Sequence, residues 1–262
     1  MIEQNLKELE EKSIYILREA SVKFKNIAVL WSMGKDSTTM LYLIRKAFLG
    51  KVPFPVIHID NGIDFPESYK FRDELTKKLK LNLIIAKSEI KPEISGFSCC
   101  GANKTEALKK VMKQYGFDAL IVSIRRDEHS IRSKERYMSP RDKNFKWNYK
   151  NQPAELWDDY SSKIENEGHI RIHPLLDWNE IDVWQYIKQE NIPVNPLYFY
   201  RNGFRYRSLG CTHCTVPIKS NAKNIDDIIK ELKTTTVEER SGREQDKERE
   251  YTMLKLRALG YM

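Results

Sequence analysis

No run of about 18 apolar residues occurs in the 262-residue sequence, so a membrane-spanning helix is not expected. The opening stretch, MIEQNLKELEEKSIYILREA, lacks the apolar core of a signal peptide, and a cytoplasmic location is the expectation. There is no internal repeat and no low-complexity segment. Cysteine is scarce. The four present fall in two close pairs, Cys99-Cys100 and Cys211-Thr212-His213-Cys214. In a cytoplasmic protein that clustering points to metal ligands or a redox pair rather than structural disulfides. The first glycine of a Walker loop is also missing. Gly34-Lys35 is followed by Asp36 where that loop needs Ser or Thr, which excludes a P-loop NTPase.

Apolar residues make up 40% of the chain, enough for one large core. Net charge is +8, which suits either a Lys-rich surface or a polyanionic partner. Apolar periodicity predicts helices over 1–24, 38–49, 66–79, 104–115 and 180–190. Short apolar runs predict strands over 26–31, 55–60, 81–86, 118–124 and 169–173. Strands that alternate with helices and are nearly all apolar imply an α/β fold, a parallel sheet covered on both faces. The stretch 130–168, polar and aromatic, reads as a long functional loop with one short helix. The expected division is an N-terminal helix (1–24), a nucleotide domain (25–220) and a charged, partly helical tail (221–262).

Such sheets bind ligands beyond the carboxyl ends of their strands. Four polar segments fall at those ends: Ser32–Thr38 (SMGKDST), Asp60–Gly62, Cys99-Cys100, and Arg125-Arg126-Asp127. Backbone N–H groups and hydroxyls at a helix start hold anions, and planar guanidinium groups suit phosphate or sulfate.

SMGKDST resembles the S-x-G-K-D-S pyrophosphate loop of the N-type ATP pyrophosphatases, and more narrowly the phosphoadenylylsulfate reductase family. The segments HIDNGIDFPESYKFRDEL, YGFDALIVSIRRDEHSIRSKER, QPAELW, HPLLDWNEIDVWQYI, NIPVNPLY and TTTVEERSGR are similar to the small subunit of bacterial sulfate adenylyltransferase. The resemblance implies an adenine nucleotide α-hydrolase-like parallel sheet with helices on both faces and a C-terminal extension. It also implies ATP and Mg²⁺, with the α–β bond of ATP cleaved and pyrophosphate released. Ser32, Gly34, Ser37 and Thr38 would cradle the phosphates, with Asp60, Gly62 and Arg171 beside the nucleotide. Lys35, Asp36, Arg125, Arg126 and Asp127 would be catalytic, the Arg pair facing the phosphates or the acceptor. Arg240 and Arg243 would close over the site or a partner. Ile124 and Asn61 depart from the residues commoner in that subunit.

The cysteines resemble a different branch. CC followed by GANKTEALKK, with CTHCT further on, is similar to adenylylsulfate reductases, where four such cysteines bind a [4Fe–4S] cluster. Cys99, Cys100, Cys211 and Cys214 are thus candidate cluster ligands, with zinc or a redox role as alternatives. Those reductases use a further cysteine near the C-terminus as nucleophile. None follows Cys214, so sulfonucleotide reduction is not expected. The cluster pattern and the basic stretch Ser130–Arg141 lead to a first expectation: activation of a DNA backbone phosphate for sulfur insertion, with DNA and a cysteine desulfurase as partners. The alternative is sulfate adenylylation with a GTPase large subunit. Homodimerisation is left open, and no membrane partner is expected.

Overall fold

A computed structural model describes residues 2–88, 97–128, 132–150, 152–155, 157–161, 168–237 and 239. For 2–3 and 97–103 it describes the backbone alone. Six strands form one sheet: β1 (Ile27–Leu30), β2 (Val56–Asp60), β3 (Leu83–Lys87), β4 (Ala119–Ile121), β5 (Met138–Arg141) and β6 (His169–Ile172). Their spatial order is β3-β2-β1-β4-β6-β5. All neighbouring pairs are parallel except β5 with β6, which is antiparallel. The chain winds outward from β1 to β3, then returns to lay β4 on the other side of β1. The crevice beyond the carboxyl ends of β1 and β4 is therefore the topological switch point, where open α/β sheets bind ligands.

Alternation within the strands sorts side chains to two cores. Ile27, Val29, Val56, Ala119, Ile121, Ile170 and Ile172 face a large core. It is covered by α1 (Ile2–Lys23), α2 (Lys35–Ala47), α3 (Pro66–Leu79), α5 (Glu180–Gln189) and α6 (Ile225–Thr234). Ala28, Ile57, Ala86 and Leu120 face a smaller core under α4 (Phe97–Tyr115), where Ala107, Leu108, Val111 and Met112 pack. The fold class expected from sequence is thus the one observed, helices on both faces of a mostly parallel sheet.

Two helices show how local sequence places them. α1 buries Leu6, Ile16, Leu17 and Ala20, one stripe of its surface. Ser13 bolts it down: its hydroxyl donates to the Pro174 carbonyl (2.8 Å) and accepts from Trp178 Nε1 (3.0 Å). α5 opens with a capping box in which Asn179 and Asp182 satisfy each other's backbone N–H groups.

The expected functional loop over 130–168 is partly sheet. β5, with sequence MSPR, forms the sheet edge, preceded by single 3₁₀ turns at Arg126–Glu128 and Arg132–Lys134. Pro140 is tolerated there because an edge strand has one unpaired side. The expected strand over 118–124 is shorter, and residues 122–124 leave the sheet to line the crevice. A two-stranded hairpin, β7 (Phe204–Arg205) with β8 (Ile218–Lys219), was not foreseen. Arg240 and Arg243 lie outside the described residues. Among the described residues no helix is long and apolar enough to cross a membrane.

Leu41 in α2 is fully buried against the sheet. Leu41→Ala should lower stability by about 2–5 kcal/mol, read from urea unfolding, because the site cannot collapse around the lost methyl groups.

Candidate functional site

β1 ends at Leu30, and the chain must turn sharply into α2. Met33 takes a left-handed conformation there (φ 61°), unusual for a residue with a side chain. A Cβ on Gly34 would lie 3.3 Å from Ser32 Oγ and 3.4 Å from Tyr198 Oη, so a larger residue would push the hydroxyls aside. Ser37 Oγ ties the loop, accepting from the Ser32 N–H (3.2 Å) and meeting Ser32 Oγ at 3.2 Å. The Lys35 N–H donates to Tyr198 Oη (2.8 Å). α2 runs 13 residues, and no side chain caps its start. Apart from the Lys35 N–H, which Tyr198 takes, its first-turn N–H groups and positive dipole end face the crevice, a ready anion cradle.

The crevice is lined by Ser32 through Ser37, by Lys104, Glu128, Arg132, Arg171 and His173, and by the segment Ser208–Gly210. Leu30, Ile57, Ile59, Val122, Ile124 and Leu209 supply an apolar wall.

Below the loop lies a buried charge network. Arg125, wholly buried, pairs with Asp36 and Glu239, and its Nε donates to Asp127 (2.9 Å). Lys35, 1% exposed, pairs with the same Glu239, and lies 3.5 Å from Asp36 and 3.7 Å from Glu180. Burial alone would raise the Glu239 carboxyl, but the charges of Arg125 and Lys35 outweigh it and hold the group well below the usual carboxylate range. Arg207 grips Glu180 (2.7 Å) and donates to the Val237 carbonyl (2.6 Å), fixing the chain that carries Glu239.

The expected site residues divide. Ser32, Gly34, Lys35, Asp36, Ser37 and Arg171 line the crevice, and Arg125 lies directly beneath it. Thr38 faces inward, its hydroxyl accepting from Trp31 Nε1 (3.2 Å). Arg126 turns away to pair with Asp177 and stack on Tyr137. Asp127 accepts the Glu180 N–H at the start of α5 (2.8 Å). Asp60 folds the following turn by accepting the Gly62 N–H (2.8 Å), where Gly62 has φ 74°. Neither residue is among those lining the crevice. Cys211 and Cys214 are buried, packed against Ile63. The side chains of Cys99 and Cys100, at the start of α4, lie outside the described residues.

Sequence reasoning missed Lys104, Glu128, Tyr198, Glu180, Arg207 and Glu239. Glu128, Tyr198 and Glu239 fall inside the segments RDEHSIRSKER, NIPVNPLY and TTTVEER, but only the three-dimensional arrangement shows which residue of each segment points inward.

The family model described as "Phosphoadenosine phosphosulfate reductase domain" matches residues 26–217. A protein named "Sulfate adenylyltransferase subunit 2" from Aeromonas hydrophila is 40% identical, over 98% of this chain and 97% of that protein. Its namesake from Zymomonas mobilis is 39% identical over the same shares. Among solved structures, FMN adenylyltransferase of Candida glabrata in complex with ATP superposes with a TM-score of 0.61 at 20% identity, covering 100% of this chain and 82% of that one. Phosphoadenylyl-sulfate reductase of Candida auris gives 0.54 at 20% identity, covering 81% and 97%. These two show the fold.

The expected DNA phosphate acceptor is overturned. The relatives that match along the whole chain carry the name of a sulfate adenylyltransferase subunit. The charge argument for DNA fails on geometry too. Arg141 is buried in an ion pair with Glu135 (2.8 Å) and Arg132 is spent on Glu128, so only Lys134 and Arg136 of that stretch's described cations are exposed. DNA and a cysteine desulfurase, the partners drawn from that reading, find no support among these relatives.

Glu239→Gln should destabilise the protein at pH 7 by about 3–5 kcal/mol, because two buried cations lose their shared anion. The carboxyl is depressed in the fold, so its stabilisation is complete above its unfolded value near 4.5 and is lost as pH falls below it. The gap between wild type and variant, read from urea unfolding, should therefore narrow at pH 4 and below.

Proposed function

The chain belongs to the phosphoadenosine phosphosulfate reductase domain family, and from that premise we propose that it transfers the adenylyl group of ATP to sulfate. The observation that carries this reading is the near 40% identity, along almost the full length of both chains, to proteins named as a sulfate adenylyltransferase subunit. One sulfate oxygen attacks the α-phosphorus. The α–β bond breaks, and the products are adenylylsulfate and pyrophosphate. Sulfate is already deprotonated at neutral pH, so the attack needs no general base. The work left to the protein is positioning and charge stabilisation.

The residues of the crevice suit that task. The N-terminal N–H groups of α2, Ser32 and Ser37 surround the place for the leaving pyrophosphate, and Lys35 adds a charge there. The apolar wall from Leu30 to Leu209 suits a planar base. Asp36, Glu128 and Glu239 offer oxygens within 4.8 Å of one another, the hard donor set that Mg²⁺ takes when it arrives with ATP. Arg171 on the crevice lining, with Arg125 buried beside Asp36, supplies positive charge toward the attacking anion. An anion that enters between Lys35 and Arg125 competes with Glu239 for both. Arg126 and Asp127 act through the frame, holding Asp177 and the start of α5. The proposed partner is a GTPase large subunit, in keeping with relatives that are themselves numbered subunits.

The four cysteines have the donor chemistry for a [4Fe–4S] cluster. Cys211 and Cys214 suit their half of it: both are buried and carried on one turn, where the Cys214 N–H reaches the Cys211 carbonyl (3.2 Å). A cluster held with Cys99 and Cys100 would pin the start of α4 to that turn, and no step of adenylyl transfer draws electrons from it.

With the large subunit present, pyrophosphate release from ATP should require sulfate, and Ser37→Ala should lower it by about 10²-fold or more. Release without sulfate, or an undiminished Ser37 variant, would overturn the reading. Protein purified without oxygen should be brown, and colourless protein with stoichiometric zinc would remove the cluster.

A further inference from the structure

Just past the crevice wall, the turn after β2 folds back over its own strand. It brings His58, Asp60 and Asp64 together, one ligand-type atom from each lying within 4.8 Å of the others. His58 is almost wholly buried. Its Nδ1 lies 3.3 Å from the Trp31 carbonyl oxygen. A carbonyl has no hydrogen to give, so that contact assigns the ring proton to Nδ1. Nε2 is then a bare lone pair.

That lone pair is buried and has no hydrogen-bond partner, and it faces Asp64 Oδ2 at 3.8 Å. A buried acceptor that faces a carboxylate oxygen with no donor of its own is left unsatisfied. A cation between them turns both into ligands. Asp60 is already oriented for the same task. Its Oδ1 accepts from the Gly62 N–H (2.8 Å) and from Tyr69 Oη (2.7 Å). Burial and the bond to Asp60 push Tyr69 up to about 12, so it remains a donor. Hydrogen bonds of this kind are how proteins hold a metal-ligating carboxylate and fix a ligating imidazole's tautomer. Arg72 lies 3.7 Å from Asp60 Oδ2 but is shared with Asp73 (2.8 Å), so it does not neutralise both carboxylates of the group.

We propose that His58 Nε2, Asp60 and Asp64 bind a divalent first-row cation of the Mn²⁺ or Zn²⁺ type, held by the protein before nucleotide arrives. One imidazole nitrogen with two carboxylates suits such ions, whereas Mg²⁺ prefers oxygen alone. The site is separate from the acidic group of Asp36, Glu128 and Glu239. His58 and Asp64 both line the crevice, so the cation would offset negative charge on a wall that a polyphosphate must pass. That last role rests on the nucleotide reading above; the cation site does not, and its test uses protein without nucleotide.

Mn²⁺ is the probe because it prefers oxygen and nitrogen to the nearby thiols of Cys211 and Cys214. The full chain, freed of metal with a chelator, is titrated with Mn²⁺ while the free ion is followed by electron paramagnetic resonance. The expected result is about one tightly held ion per chain, with electron spin echo modulation from a directly bound ¹⁴N. The nitrogen signal should survive His213→Gln and vanish in His58→Gln. Asp64→Asn should weaken binding by about tenfold or more. If the Asp64 variant does not fold, the nitrogen signal in the unaltered chain decides. No binding at millimolar Mn²⁺, bound Mn²⁺ without nitrogen coupling, or equal affinity in a folded Asp64→Asn variant would each overturn the proposal.

Discussion

Arg125 carries a full charge with none of its side chain exposed, and three carboxylates compensate it. Each comes from a different part of the chain. Asp36 belongs to the first turn of α2, Asp127 to the turn after β4, and Glu239 to the segment after α6. An unpaired buried charge is prohibitively costly, so these segments must meet at one place for the protein to fold. That place is the switch point of the sheet, where the strand order leaves a crevice. The same network therefore fixes the fold's closing segment and the electrostatics of the candidate site. Lys35 reinforces it, sharing Glu239 with Arg125 and approaching Glu180, which Arg207 holds from the other side.

Much of the fold was legible because its signals are local. Apolar runs at Ile27–Leu30 and Val56–Asp60, each followed by a polar turn and a helical stripe, name a parallel α/β sheet. The loop Ser32–Ser37 was legible for the same reason, since a strand–turn–helix junction with hydroxyls and a glycine has few uses. β5 was not legible. MSPR contains a proline, does not alternate, and exists as a strand only through its pairing with β6. The charges were misread for a related reason. Nothing in the sequence near Arg126 or Arg141 shows that their partners are Asp177 and Glu135; Arg126 was expected to face the phosphates or the acceptor, and Arg141 was counted toward a basic surface. Glu239 escaped notice because its importance comes wholly from long-range contacts with Lys35 and Arg125.

The cysteines mark where two lines of sequence reasoning diverged. Their spacing pointed toward sulfur insertion, while the rest of the chain pointed toward sulfate. Whole-length relatives named for sulfate adenylyltransferase favour the second. The CxxC turn lies against Ile63, with Thr212 donating to the Ile63 carbonyl (3.0 Å) in the same turn that carries Asp60 and Asp64. The CxxC turn thus braces the turn that carries Asp60 and Asp64.

The central claim is that a sulfate oxygen forms the new bond to the α-phosphorus of ATP. It is tested most directly by supplying sulfate labelled with ¹⁸O at every oxygen, together with the large subunit, and recording ³¹P spectra of the products. The account predicts adenylylsulfate whose phosphorus bears a single ¹⁸O in the bridge to sulfur, with unlabelled pyrophosphate. Unlabelled AMP formed at the same rate with or without sulfate would contradict it, because water would then be the attacking group.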